Sequence, residues 1–239
     1  MSQVLESRPS WPRSRGGSTL PPLENGDHLD QKSFHERYEA MPEGFKAELI
    51  QGRVYVPSPV RRVHGRPHTL VTGWLLNYEA ATPGVESLVD TTAILDDENE
   101  PQPDSFLIVR PDHGGRTHVD SNGYIAGPPE LAVEIAASTA AFDLFEKREA
   151  YERTGILEYV IVVVRSQEIR WLRLTDQRYI DVAVDESGVF RSQEFPGLWL
   201  NSKALFAEDA KQLLETLNQG LASPEHAEFM RQLEERKAE

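Results

Sequence analysis

The chain contains no cysteine, which excludes disulfides and thiolate metal sites and makes a reducing compartment the default, so a cytoplasmic location is expected. It also lacks any apolar run near the ~20 residues of a membrane span, and no signal-peptide apolar region is present. Positive charge is scarce. Lys and Arg total 25 against 39 Asp and Glu, a net charge of −14, and a uniformly acidic surface repels phosphate, which argues against a general nucleic-acid coat protein. It does not exclude a local basic cleft. "RRVHGRPH" (61–68) is such a basic stretch, whereas eight acids face four bases from Glu208 onward.

The 239 residues with 39% hydrophobic content suit one domain of moderate size plus tails. There is no internal repeat. Residues 1–30, beginning "MSQVLESRPSWPRSRGGST", read as a disordered tail, residues 31–218 as the domain, and 219–239 as a charged, mobile extension. Along the domain, "SFHERYEAM" predicts a short helix, and "AELIQGRVYV" predicts a hairpin turning at Gln51-Gly52. In "HGRPHTLVTGWLLNY", Pro67 suits a first helical turn and Leu70, Val71, Trp74, Leu75 and Tyr78 recur at helical spacing. "VESLVDTTAIL", "DSFLIV" and "LAVEIA" follow as strands. "STAAFDLFEKREAYERTG" reads as a helix capped by Ser138 or Thr139 and stopped by Gly155. "EYVIVVV" is a near-continuous β-branched run of the kind covered on both faces. "EIRWLRL" and "RYIDVAV" are more exposed strands, and "SKALFAEDAKQLLETL" closes as a helix. This order predicts a single α/β (α+β) domain built on a mixed sheet.

Glu134 stands out in "ELAVEIAAS" (130–138). Strand alternation puts Leu131, Val133 and Ile135 on one face and Ala132, Glu134 and Ala136 on the other. A carboxylate there costs several kcal/mol unless an arginine, a proton or a metal offsets it; a strand edge at which it meets solvent is the plainer account. "QPDSFLIV" offers a second acid, Asp104, opening a strand after Pro103, a position that also suits simple turn chemistry. Lys147 shares a helical stripe with Leu144 and Tyr151; a surface pair with Asp143, four residues before it, is the bland alternative. Together the three have a common use. Two acids on neighbouring strands can hold Mg²⁺ or Mn²⁺, and a nearby ammonium can orient a metal-activated water beside a phosphodiester.

"AELIQGRVYVPSP", "HGRPHTLVTGWLLNY", "EPQPDSFLIV" and "ELAVEIAASTAAFDLFEKREAYERTGILEYVIV" resemble the putative restriction endonuclease family, a branch of the PD-(D/E)XK nucleases, over about residues 33–180. The resemblance implies a restriction-endonuclease-like core, central mixed sheet flanked by helices, with extra antiparallel strands toward the C-terminal side, usually carried in a homodimer. It further implies a Mg²⁺- or Mn²⁺-dependent endonuclease acting on DNA. Asp104 then matches the first acid and Glu134 the second, with the carbonyl of Ile135 as a further metal ligand. Ala136 stands where the superfamily's usual lysine would be, and Lys147 from the following helix takes that role. Glu48 in "ELIQG" matches an early acid of the family, and His64 a recurring histidine. Apart from the resemblance, the basic stretch itself makes Arg61, Arg62, His64 and Arg66 the candidates for contacting nucleic acid, the arginines through its phosphates. The family's usual "SPS" after the second acid is "AAS" here, and Val160 replaces its usual aromatic, departures that weaken inference about substrate contacts.

Two other patterns point less far. His64 and His68 stand four apart, but no third ligand is evident in sequence to make a zinc site. "LDDENEPQPD" is acidic without the spacing of a calcium loop and reads as a solvated turn. The competing functional reading is a nuclease fold used as a non-catalytic module for nucleic-acid binding or dimerisation, with the acidic total charge in its favour.

Overall fold

A computed structural model describes residues 20–57, 59–137 and 141–237. Residues 1–19, which carry most of the expected tail, and Ser138 and Thr139, the expected helix caps, lie outside the described residues. Helix α1 (Gln31–Glu39) starts where the Asp30 carboxylate accepts the Ser33 N–H. Strands β1 (Glu48–Ile50) and β2 (Arg53–Tyr55) form the expected hairpin. Its turn residues Gln51 and Gly52 both have positive φ, 52° and 72°, the twist a two-residue hairpin loop requires. Residues 20–30, assigned to the tail by composition, lie against this hairpin: the Gly26 N–H donates to the Val54 carbonyl, and Leu23 is buried with Phe34, Leu49 and Val54.

Helix α2 (Arg62–Ala81) begins five residues before Pro67. Pro67 therefore falls inside the helix and not in its first turn, and the stripe Leu70, Val71, Trp74, Leu75 and Tyr78 is buried as its spacing predicts. The long strand predicted from Val85 divides at Asp90 (φ 49°) into β3 (Val85–Val89) and β4 (Ala93–Ile94). Then come β5 (Ser105–Val109), a 3₁₀ turn at Pro111–His113, β6 (His118–Val119), β7 (Ile125–Ala126) and β8 (Leu131–Ala136). After β8 the chain winds through a π-helical turn, Phe142–Lys147, into α3 (Arg148–Thr154), which Gly155 ends in the left-handed conformation. Strands β9 (Glu158–Val163), β10 (Glu168–Thr175), β11 (Arg178–Asp181), β12 (Val189–Arg191) and β13 (Trp199–Asn201) precede α4 (Ser202–Phe206), α5 (Ala210–Leu221) and α6 (Pro224–Lys237). The single closing helix expected from 202 is thus two helices, because Glu208 turns to φ 55° and the Asp209 side chain caps a fresh start by accepting the Gln212 N–H. The expected mobile extension is mostly α6, whose Phe229 and Leu233 are buried in the main core.

The central sheet has the order β11-β10-β9-β8-β5-β3. Within this sheet β8–β9 is the one parallel pair among the described residues, as a strand–helix–strand crossover through α3 demands. This is the mixed sheet flanked by helices that the sequence predicts. One face carries α2 and the C-terminal helices on an apolar layer containing Trp74, Trp171, Tyr78 and Phe195. The other face packs Phe106, Ala132, Tyr151 and Tyr159 beneath α3. Glu158 opens β9 fully buried; its carboxylate accepts the Ser192 hydroxyl at 2.6 Å and the Gln193 N–H at 2.8 Å. Burial pushes its pKa up to about 7 despite those donors. No helix among the described residues is long and apolar enough to cross a membrane.

Candidate active site

Alternation on β8 sends Leu131, Val133 and Ile135 into the α2 layer and Ala132, Glu134 and Ala136 toward α3. The two alanines leave room beside Glu134, whose surface is 4% exposed. Its counter-charge within the chain is Lys147, 3% exposed, with Nζ 2.8 Å from Glu134 Oε1 and 2.9 Å from Glu48 Oε1. Tyr151 donates its hydroxyl to the same Glu134 oxygen at 3.0 Å. Glu48 enters from β1, its Oε1 also accepting the Gln102 N–H at 2.7 Å. The bland surface pair between Lys147 and Asp143 is not what forms: both residues are buried, and Lys147 reaches across to two carboxylates.

The π-helical turn supplies two of the inward-facing residues. Its wider winding carries Asp143, Lys147 and then Tyr151 inward at steps of four, while Leu144 is only half-buried. Burial works against the Lys147 ammonium, but the Glu134, Glu48 and Asp143 carboxylates outweigh it and hold its pKa well above the ordinary lysine value. Burial likewise pushes Glu134 upward, with Lys147 opposing and Asp104, Asp143 and Glu48 reinforcing.

Asp104 stands one step beyond the Ser105–Val133 pair of the antiparallel β5–β8 ladder, opposite Glu134. Its Oδ2 accepts the Ile135 N–H at 2.7 Å and lies 3.2 Å from His64 Nε2. Burial disfavours the Asp104 carboxylate, yet the His64 hydrogen bond and charge, with the Ile135 N–H, hold it below the usual range. His64 is raised in return, first by its bond to Asp104 and against its own burial. One α2 turn later, His68 Nε2 sits 2.7 Å from the Asp104 carbonyl. The strand end thus joins the two layers through one aspartate.

Asp104, Glu134, Lys147, Glu48, Ile135 and His64 therefore converge at one end of β8. The arginines stand apart in a different way. Arg62 makes two contacts to the Glu208 carboxylate, at 2.9 and 3.3 Å, and Arg66 a third at 3.3 Å. Arg61 is exposed and makes no ion pair with the described residues. Tyr151, Gln102 and Glu208 were not singled out for these contacts from sequence. Tyr151 was within reach, being four residues after Lys147; Glu208, more than 140 positions from Arg62, left no local signal.

The Lys147 ammonium sits between two carboxylates as a cation, and Glu48, Glu134, Asp104 and Asp143 all act on that ammonium or on Glu134. Glu48, Glu134 and Asp104 offer oxygen donors, the chemistry a hard divalent cation takes, and a cation held there would offset the burial that lifts Glu134 toward its protonated form.

No curated protein matches the chain. Among solved structures, the fold is similar to the crystal structure of a putative nuclease belonging to DUF820 from Anabaena variabilis ATCC 29413. The TM-score is 0.57 and the identity 14%, over 72% of this chain and 97% of that one. The family model for Uma2, described as "Putative restriction endonuclease", matches residues 34–203, a span that contains Glu48, His64, Asp104, Glu134 and Lys147, and the chain belongs to that family.

Proposed function

We infer that the chain is a divalent-metal-dependent endonuclease that hydrolyses phosphodiester bonds in DNA. The observation that carries this reading is the placement of Asp104 and Glu134 on facing strand positions with Lys147 held against Glu134. Family membership and the nuclease-like fold support a nuclease; the metal, the substrate and the residue roles are our proposal.

Asp104, Glu134 and the Ile135 carbonyl would hold Mg²⁺ or Mn²⁺, which supplies an acidified water and charge stabilisation when bound. The Ile135 N–H and His64 keep the Asp104 carboxylate ionised and fixed in direction. Lys147 carries the positive charge that orients the attacking water and offsets charge growing on the phosphoryl oxygens. Glu48 and Tyr151 fix the ammonium and the Glu134 carboxylate in place before substrate arrives, so little reorganisation is left for the reaction. Arg61, with Arg62 and Arg66 once drawn from Glu208, would contact the backbone phosphates. The homodimer is proposed on the same resemblance and is tested by sedimentation.

The near-complete burial of Lys147 between two acids favours a second reading, a sealed ion-pair core in a non-catalytic binding or dimerisation module. Nicking of supercoiled plasmid at low salt separates the two. Turnover in Mg²⁺ or Mn²⁺, absent in EDTA and lost in Glu134→Gln and Lys147→Ala, is the expected result. Equal inactivity of wild type and both variants on plasmid, single-stranded DNA and RNA would give the binding module the lead.

A further inference from the structure

The sequence offered His64 and His68 as a metal pair in need of a third ligand, and the fold supplies one. Four-residue spacing on α2 brings the two rings together, with centroids 5.6 Å apart. Asp104, 36 positions beyond His68, meets both: its carboxylate faces His64 and its carbonyl faces His68. One ligand atom from each of the three residues lies within 4.8 Å of the other two. Ligands held about 2.1 Å from an ion stand at most about 4.2 Å apart, so small side-chain rotations close the set. His64 is also not a contented core histidine, since its buried Nδ1 has no hydrogen-bond partner among the described residues.

We propose that His64, His68 and Asp104 form a site for a divalent transition-metal ion of the Zn²⁺ or Co²⁺ type. Two imidazoles and one carboxylate favour such ions over Mg²⁺, which prefers oxygen throughout. Three protein ligands leave coordination positions open for water or a phosphate oxygen. The all-oxygen group around Glu134 has the opposite preference, so Asp104 stands between two places of different metal taste. The proposal needs no hydrolysis to be true, and its test reads binding alone.

The test is titration of the chelator-treated full chain with Co²⁺, followed by visible absorption. One equivalent is expected to bind, at least about tenfold more weakly in His64→Gln and in His68→Gln. Binding should be unchanged in His118→Gln, an exposed histidine that controls for stray imidazole, and should survive a large excess of Mg²⁺. Wild-type affinity in both His64 and His68 variants, or ready displacement by Mg²⁺, would overturn the proposal. Proton NMR of the Co²⁺-loaded wild type adds a check that needs no variant. Hyperfine-shifted imidazole N–H resonances from two rings are expected, and their absence would equally overturn it.

Discussion

The parallel pair β8–β9 carries buried acids at both ends, and the two ends neutralise them by different chemistry. At the start, Glu130 accepts the N–H groups of Val109 and Arg116, and Glu158 accepts a serine hydroxyl and a backbone N–H. All those partners are uncharged in the atoms they offer. At the far end, Glu134 has a buried ammonium and a phenol. Neutral donors leave an acid free to take a proton, which is why burial lifts Glu158 to about 7. Burial lifts Glu134 as well, but there the Lys147 ammonium opposes the proton and is itself held charged inside the protein, a costly arrangement. The first end is a way of closing a fold, the second a way of storing a field.

The sharpest way to break this contrast is Lys147→Met. It leaves Glu134 and Glu48 without their shared cation, and a loss of about 3–5 kcal/mol is expected in urea unfolding, partly recovered by Mn²⁺. A loss below about 1 kcal/mol would show that the far end needs no counter-charge. Next comes Glu158. An unfolded glutamate titrates near the ordinary 4.5 and the native one near 7, so the native state binds the extra proton and the contribution of Glu158 to stability is fullest below pH 4.5. It then falls as pH rises through about 7, by about 3 kcal/mol. Glu158→Gln should flatten that slope in thermal melts between pH 5 and 7.5, and an unaltered slope would assign it to other groups. Tyr151→Phe removes one buried hydrogen bond to Glu134 and should cost about 1 kcal/mol, read from the same unfolding curves. Arg62→Ala, at the exposed pair with Glu208, should change stability by less than about 0.5 kcal/mol, yet lower the salt dependence of DNA binding. A stability loss matching that of Tyr151→Phe would make the pair structural.

Sequence reasoning reached the far end more fully than the near one, for physical reasons. Glu134 was conspicuous because a charge broke an apolar alternation, and Asp104 and Lys147 became meaningful as its possible neighbours. Glu158 sits at the mouth of its strand before "YVIVVV", where an acid looks unremarkable, and its donors come from a loop more than thirty residues later. The hairpin at Gln51-Gly52 and the α2 stripe were legible because local spacing determines them. The break at Glu208 was not, since it rests on one left-handed residue followed by a cap inside an otherwise helical pattern. Likewise the arginines read as free basic charge, because only the fold brings Glu208 to them.

The π-helical turn before α3 has a further meaning when the helix is regarded as a rotating dial. Each residue in an ordinary helix advances about 100°. The wider winding at Phe142–Lys147 delays that advance, so Lys147 arrives at the angle of Glu134 while α3 still meets the sheet with Ala150 and Tyr151. The segment acts as a phase adjuster: one helix meets the apolar layer through Ala150 and Tyr151 and the charged cluster through Lys147.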